Sequence, residues 1–215
     1  MIGATGPAGK AVAVQFAGID EQVVVGSRSP ERAAAAVEEM KGLWPRRNLD
    51  LVAGDNAAAC EADVVVLATP WEGVPATLAD LAGALRGRLV VSMVNALTKW
   101  GRYVVPLVPP TGSVTAAVAL ALPESRVAGA FHHLPAGAWA DLEHPLDADV
   151  LVVAERRPDA REVVALVDRL PGLRGIDAGN LANAVAVEAL TATLVGINLR
   201  YKAHASLRLT GLDRG

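Results

Sequence analysis

Gly3-Ala4-Thr5-Gly6-Pro7-Ala8-Gly9-Lys10 decides the fold. Three glycines spaced G-x-x-G-x-x-G stand directly before an Ala/Val-rich stretch that reads as a helix over residues 6–18. Glycine permits a tight turn and close approach of a pyrophosphate to backbone N–H groups at a helix N-terminus, where the helix dipole favours an anion. Pro7 has no N–H to offer, so Gly6 and Ala8 carry that cradle. Such a turn links a strand to a helix in a dinucleotide-binding sheet. Only Met1 and Ile2 precede Gly3, whereas a first strand needs about five residues. The first strand is therefore expected to be truncated, with a start site assigned too late as the favoured explanation.

Outward from this turn, short β-branched runs alternate with Ala-rich stretches, the pattern of βαβ units in a parallel sheet covered on both faces. Strands are expected at 23–25, 51–52, 64–67 and 89–91, each a continuous apolar run suited to burial on both sides. Helices are expected at 30–41, with Ser29 as N-cap and Pro30 first, and at 71–85 and 113–120. After about residue 130 come a polar and aromatic loop at 131–144, a strand at 150–153, an amphipathic helix at 158–170 and a long apolar helix from about Gly179. The fold class is α/β: a Rossmann-type doubly wound parallel sheet over 1–130, then a small, mostly helical C-terminal domain over 131–215.

The tip of the second strand sets the dinucleotide preference. An NAD site places a carboxylate there for the ribose hydroxyl, but residues 26–28 are Gly-Ser-Arg. Arg28 offers a planar guanidinium for phosphate oxygens, Ser27 a hydroxyl, and Arg32 lies one helical turn on. Cations at a helix start are disfavoured unless an anion joins them. These residues point to NADP, bound through its adenosine phosphate.

Composition excludes other classes. The 215 residues carry 20 Lys+Arg against 23 Asp+Glu, a net charge of −3, with 52% hydrophobic residues. No basic cluster offers nucleic acid or an anionic membrane an electrostatic footprint. Cys60 is the sole cysteine, so no internal disulfide forms and a cytoplasmic setting is expected. No charged n-region and apolar stretch marks a signal peptide at the N-terminus. The apolar segment 181–199 is interrupted by Asn183, Glu188 and Asn198, and is read as a buried helix rather than a membrane span. No set of residues has metal-ligand spacing, so no metal is expected. A Tyr-x-x-x-Lys pair is missing, since Leu107 follows Tyr103 and Ala205 follows Tyr201 at that interval.

The ordered set 3–9 (GATGPAG), 25–28 (VGSR), 69–72 (TPWE), 131–136 (FHHLPA) and 177–181 (DAGNL) resembles the family of NADPH-dependent coenzyme F420 reductases. The resemblance spans nearly the whole chain. It implies an oxidoreductase that exchanges a hydride directly between NADP(H) and the deazaflavin coenzyme F420, each bound on one side of a common cleft, in a cytoplasmic homodimer paired through apolar helices. By the same resemblance Thr5 to Ala8 hold pyrophosphate and ribose, Ser27, Arg28 and Arg32 the adenosine phosphate, and Trp71, Pro75, Gly101 and Ala136 the rest of the dinucleotide. Gly3, Gly6, Pro7, Gly9, Thr69 and Pro70 complete the cofactor set.

Hydride transfer asks for two ring carbons held about 3–3.5 Å apart in a water-poor slot, with no nucleophile or metal. Leu134, Pro135 and Ala136 supply a small apolar surface against which flat rings can stack. His132 is the candidate catalytic residue, placed to stabilise charge on the reduced deazaflavin or pass a proton; His133 has no assigned part. Two alternatives stay open. One is an NADP-dependent reductase of another acceptor, a flavin, imine or ketone, and the other is an NADP-binding redox sensor without turnover.

Overall fold

Ile2 stands alone where a first strand would run, and the sheet closes around it in the computed structural model, which describes residues 1–212. On one side β1 (Val23–Ser27) pairs in parallel with β2 (Leu51–Asp55); on the other β3 (Val64–Leu67) pairs in parallel with β4 (Leu89–Ser92). Ile2 makes one parallel bridge to Gly26 and one to Leu67, joining the two ladders. Its N–H donates to the Val66 carbonyl at 2.8 Å, its carbonyl accepts from Ala68 N–H at 2.9 Å, and Gly26 N–H donates to the Met1 carbonyl at 2.8 Å. The Met1 amino group donates to the Val24 carbonyl at 2.7 Å. Two residues thus do a central strand's pairing at the end of the sheet where the glycine turn begins.

The parallel ladder continues through β7 (Arg126–Gly129), in register with β4. The C-terminal part supplies helices and also two strands that prolong this sheet across residue 130. β8 (Ala148–Ala154) pairs antiparallel with β7 at Gly129 and Val153, and β9 (Leu173–Asp177) pairs parallel with β8. The order is β2-β1-Ile2-β3-β4-β7-β8-β9. Its main apolar cluster draws Val12, Val25 and Val91 from one part of the chain and Trp139, Val150 and Val163 from the other. The core therefore runs across residue 130.

Helices cover both faces. α1 (Pro7–Ala17) and α2 (Pro30–Leu43) each begin on a proline, and the Ser29 side chain accepts from Arg32 N–H at 3.3 Å to cap α2. α3 (Asn56–Ala59) is capped by Asp55. The single helix expected over 71–85 is corrected: Trp71–Gly73 form a 3-10 turn and α4 runs Val74–Leu81, because Pro75 has no N–H for an earlier turn. α5 (Val114–Ala121) is capped by Ser113. An unexpected antiparallel hairpin, β5 (Leu97–Trp100) and β6 (Tyr103–Pro106), rises between β4 and α5. α6 (Ala136–Trp139), α7 (Arg157–Asp168) and α8 (Ala184–Tyr201) complete the chain.

The buried helix expected at 181–199 also needs correction. Ala184, Val187, Glu188, Thr191, Ala192 and Leu194 of α8 are buried, while Val185, Ile197, Leu199 and Tyr201 are exposed. By length and composition alone Leu181–Tyr201 could cross a membrane. Its polar Glu188, however, is bonded into the fold, as described below.

Candidate functional site

The C-terminal ends of Ile2, β3 and β4 open on a cleft of about 500 Å³, the place where open α/β sheets hold ligands. One wall is the glycine turn, and its three glycines serve different ends. Gly3 has φ +69° and sits so close to Thr69 that a Cβ would come within 2.4 Å of its Cγ2. Gly9 lets α1 settle on the turn, since a Cβ there would lie 2.7 Å from Ala4 Cα. Nothing lies within 4 Å of a Cβ built on Gly6, so its side of the turn is open to a ligand. Thr5, Gly6, Pro7, Ala8 and Gly9 all line the cleft, and Arg32 closes one end.

The facing wall carries Thr69, Pro70, Trp71 and Glu72, followed by Met93, Val94, Asn95 and Leu97. Thr69 Oγ1 and Trp71 Nε1 are buried without a partner among the described residues. Donors left so in a cleft wall are groups a bound ligand would satisfy. A glycine cradle, an arginine end and two waiting donors fit a phosphorylated dinucleotide.

At the tip of β1, Ser27 is buried and its Oγ accepts from Ser29 N–H at 3.2 Å; Arg28 is exposed beside it. The carboxylate opposite Ser27 in the ladder is Asp55, which accepts from Ala58 N–H at 2.7 Å as the cap of α3. This leaves a cationic tip next to Arg32. Leu134, Pro135 and Ala136 are half-buried in the loop leading into α6 and border the core rather than line the cleft.

Three of the expected site residues, Pro75, Gly101 and His132, stand apart from the cleft lining. Pro75 lies in the first turn of α4 and Gly101, at φ +59°, closes the β5–β6 hairpin; neither lines the cleft. His132 does not present its ring to a ligand there, because its side chain has no exposed surface. Phe131, held at φ +65° and stacked on Trp139 with ring centroids 5.4 Å apart, turns the chain inward at this point. The His132 Nε2 faces Thr115 Oγ1 at 3.4 Å and Glu188 Oε1 at 3.9 Å.

Glu188 anchors this buried cluster. It accepts from Val114 N–H, Thr115 N–H and the Thr115 hydroxyl, each at 2.8 Å, and so binds the N-terminus of α5, where the dipole favours an anion. Burial pushes its carboxyl up against the opposing pull of these donors. Since Thr115 gives its one hydroxyl proton to Glu188, it can only accept from His132, which assigns the ring proton to Nε2. Burial, with His133 adjacent, drives the His132 pKa down to about 3 despite the carboxylate nearby, so the ring is neutral. His133 is likewise pushed down to about 4 by burial, and its Nε2 accepts from Leu151 N–H at 3.3 Å.

The family model described as "NADP oxidoreductase coenzyme F420-dependent" matches residues 1–96. The chain is 34% identical to the F420-dependent NADP reductase of Methanocaldococcus jannaschii over 99% of this chain and 98% of that one. It belongs to the F420-dependent NADP reductase family. The reductase of the same description from Methanothermobacter thermautotrophicus is 33% identical over 99% of this chain and 94% of its own. A solved structure of a candidate F420-dependent NADP-reductase from Arthrobacter sp. FB24 superposes with a TM-score of 0.78 at 22% identity, covering 94% of this chain and 93% of that one, which bears on the fold.

As a member of this reductase family the chain is an NADP-dependent oxidoreductase, and its cleft holds residues that sequence reasoning passed over. Glu72, Met93, Val94, Asn95 and Leu97 line it. The signal was positional: residues 93–97 follow β4 as the glycine turn follows Ile2 and Thr69 follows β3.

Proposed function

We propose that this chain transfers a hydride between NADP(H) and the deazaflavin coenzyme F420, with the dinucleotide lying along the cleft from Arg32 to Asn95. Similarity over essentially the full length of reductases so described carries this reading. Gly6, Ala8 and Thr5 hold the pyrophosphate and ribose through backbone N–H groups and the Thr5 hydroxyl. Ser27, Arg28 and Arg32 hold the adenosine phosphate and exclude NADH for want of that anion. Thr69 and Trp71 supply their unpartnered donors and, with Pro70, wall the redox end. A bound nicotinamide would supply or take up the hydride. Around it the protein's part is positioning and exclusion of water, since no nucleophile is required.

Residues 1–130 form the nucleotide half, and 131–215 the deazaflavin pocket and pairing half, with Leu134, Pro135 and Ala136 as the small apolar surface between the rings. His132 acts through position: its neutral ring fixes the loop from below, and its carbonyl accepts from Asn95 and Thr191. The enzyme works as a cytoplasmic homodimer on small-molecule partners alone. The exposed apolar side chains of α8, Ile197, Leu199 and Tyr201 among them, support the pairing.

Mixing the protein with NADPH and oxidised F420, while following nicotinamide and deazaflavin absorbance together, tests the reaction. Matched loss of both signals with NADPH and little with NADH is expected. Loss of NADPH with unchanged deazaflavin would replace the acceptor. Binding without any change would make the protein a sensor.

A further inference from the structure

We infer that Glu72 sets the balance between the two redox forms of the bound dinucleotide, by placing a carboxylate beside a ring that is cationic only when oxidised. The inference deepens the NADP reading and rests on it. Among the described residues, two charged side chains line the cleft, Arg32 and Glu72. The sheet order sets them at different stations. Arg32 follows β1, the glycine turn follows Ile2, and Glu72 follows β3. With neighbouring strands about 4.8 Å apart, the ends of β1 and β3 are separated by about 10 Å across the cleft mouth. Where the adenosine phosphate meets Arg32 and the pyrophosphate meets the glycines, the nicotinamide riboside continues toward β3.

Glu72 is otherwise a misfit in this lining. Asp55, at the tip of β2, is occupied as the cap of α3, whereas the exposed Glu72 carboxylate has no hydrogen-bond or ion-pair partner among the described residues. A free carboxylate in a cleft shaped for phosphates repels them. The nicotinamide ring reverses the sign of that interaction. Loss of a hydride, two electrons and one proton, from the reduced ring leaves one positive charge behind. Every phosphate is common to the two forms, so its repulsion cancels in the comparison and the ring charge remains. Trp71 stands beside Glu72 in the same 3-10 turn and lines the cleft with it. The carboxylate therefore favours the oxidised form when bound and makes bound NADPH the stronger hydride donor. The start of a helical turn also favours a carboxylate through its dipole, but that contribution is to folding and is indifferent to the redox state of a ligand.

Calorimetric titration of NADP+ and of NADPH, each without F420, into the unsubstituted protein and Glu72→Gln tests this. Glutamine keeps the shape and removes the charge. Affinity for NADP+ relative to NADPH is expected to fall about fivefold in Glu72→Gln, the scale for unit charges several ångströms apart near a protein surface. Adenosine 2′,5′-bisphosphate, which has the phosphate end and no ring, should bind both proteins alike within twofold, and its binding shows that the variant is folded. Raising salt from about 0.1 to about 1 M shortens the Debye length from about 10 to about 3 Å, and should erode the same relative affinity in the unsubstituted protein. That result needs no variant. An unchanged ratio in Glu72→Gln, an equal gain for both dinucleotides, or a ratio indifferent to salt overturns the inference. Failure of the unsubstituted protein to bind either NADP+ or the bisphosphate overturns the NADP reading with it, whereas the expected ratios without F420 turnover remove only the reaction.

Discussion

His132 and His133 are 4% and 3% exposed, and each would lose most of the hydration of a charged imidazolium if protonated in place. Folding therefore holds both neutral, at pKa values near 3 and 4, while the unfolded chain titrates near 6.5. Between those values the unfolded state binds more protons, so stability rises with pH. The contribution is complete above pH 6.5 and is lost as pH falls toward the folded values. At pH 5, 1.5 pH units below the unfolded value, the loss is about 2 kcal/mol for each ring at 1.36 kcal/mol per unit. Asp149 adds no loss at that pH. Its burial works against ionisation, but Arg174, Leu209 N–H and Arg208 hold its carboxyl below the ordinary range, and its own loss begins only near pH 4. Urea melts at pH 7.5 and pH 5 are expected to show this acid loss, to which the buried Met1 amino group, lowered to about 6, adds between pH 8 and 6; His133→Gln, which keeps an acceptor for Leu151 N–H, should reduce the loss by about 2 kcal/mol. An unchanged pH dependence in His133→Gln would show that its ring takes up protons without unfolding.

The turn between Ile2 and α1 separates two roles that its glycines share in sequence. An alanine at Gly9 would drive a methyl into Ala4, main chain that cannot yield without displacing α1, so Gly9→Ala is expected to cost about 1–3 kcal/mol. Gly6 has φ −83° and open space around it, so Gly6→Ala should leave the melting midpoint nearly unchanged. The Gly6 methyl would instead stand where a pyrophosphate approaches, and NADPH affinity should drop roughly tenfold or more, the size of one lost charge-assisted hydrogen bond. Thermal melts beside NADPH titrations of the two variants check this; equal effects on both quantities in both variants would dissolve the distinction. Glycine spacing was legible because backbone chemistry leaves its mark in residue type. β1, β3 and β4 were legible as apolar runs for the same reason that they are buried. β5 and β9 were not: Leu97-Thr98-Lys99-Trp100 is largely exposed, and Leu173-Arg174-Gly175-Ile176-Asp177 becomes a strand only by pairing with β8. A lone asparagine after a strand shows nothing of its cleft, and the burial of His132 depends on Thr115 and Glu188, which no local pattern brings to it.

At the scale of the whole molecule, α8 carries apolar side chains beyond those the fold covers, most of them in its last turns. Glu188, Thr191 and Leu194 look into the fold, where Glu188 binds the N-terminus of α5, and β6 packs along the helix. Val185, Ile197, Leu199 and Tyr201 look out, and the hairpin adds Trp100 and Tyr103. Leaving that much apolar surface in water forgoes roughly 25 cal/mol for each Å² that could be covered. A two-fold contact that sets the last turns of α8 and the hairpin against their own copies covers these side chains on both subunits at once, and a stable pair needs only about 800 Å² from each. Sedimentation at micromolar concentration is therefore expected to give twice the 22.2 kDa chain mass. Leu199→Glu would place a charge in the covered face and should shift the protein to the single-chain mass. NADP+ affinity should persist in that variant, because Leu199 lies on α8 and does not line the cleft. A single-chain mass for the unsubstituted protein would show that the open face of α8 serves something other than its own copy, while Leu199→Glu retaining the double mass would move the contact to the hairpin side.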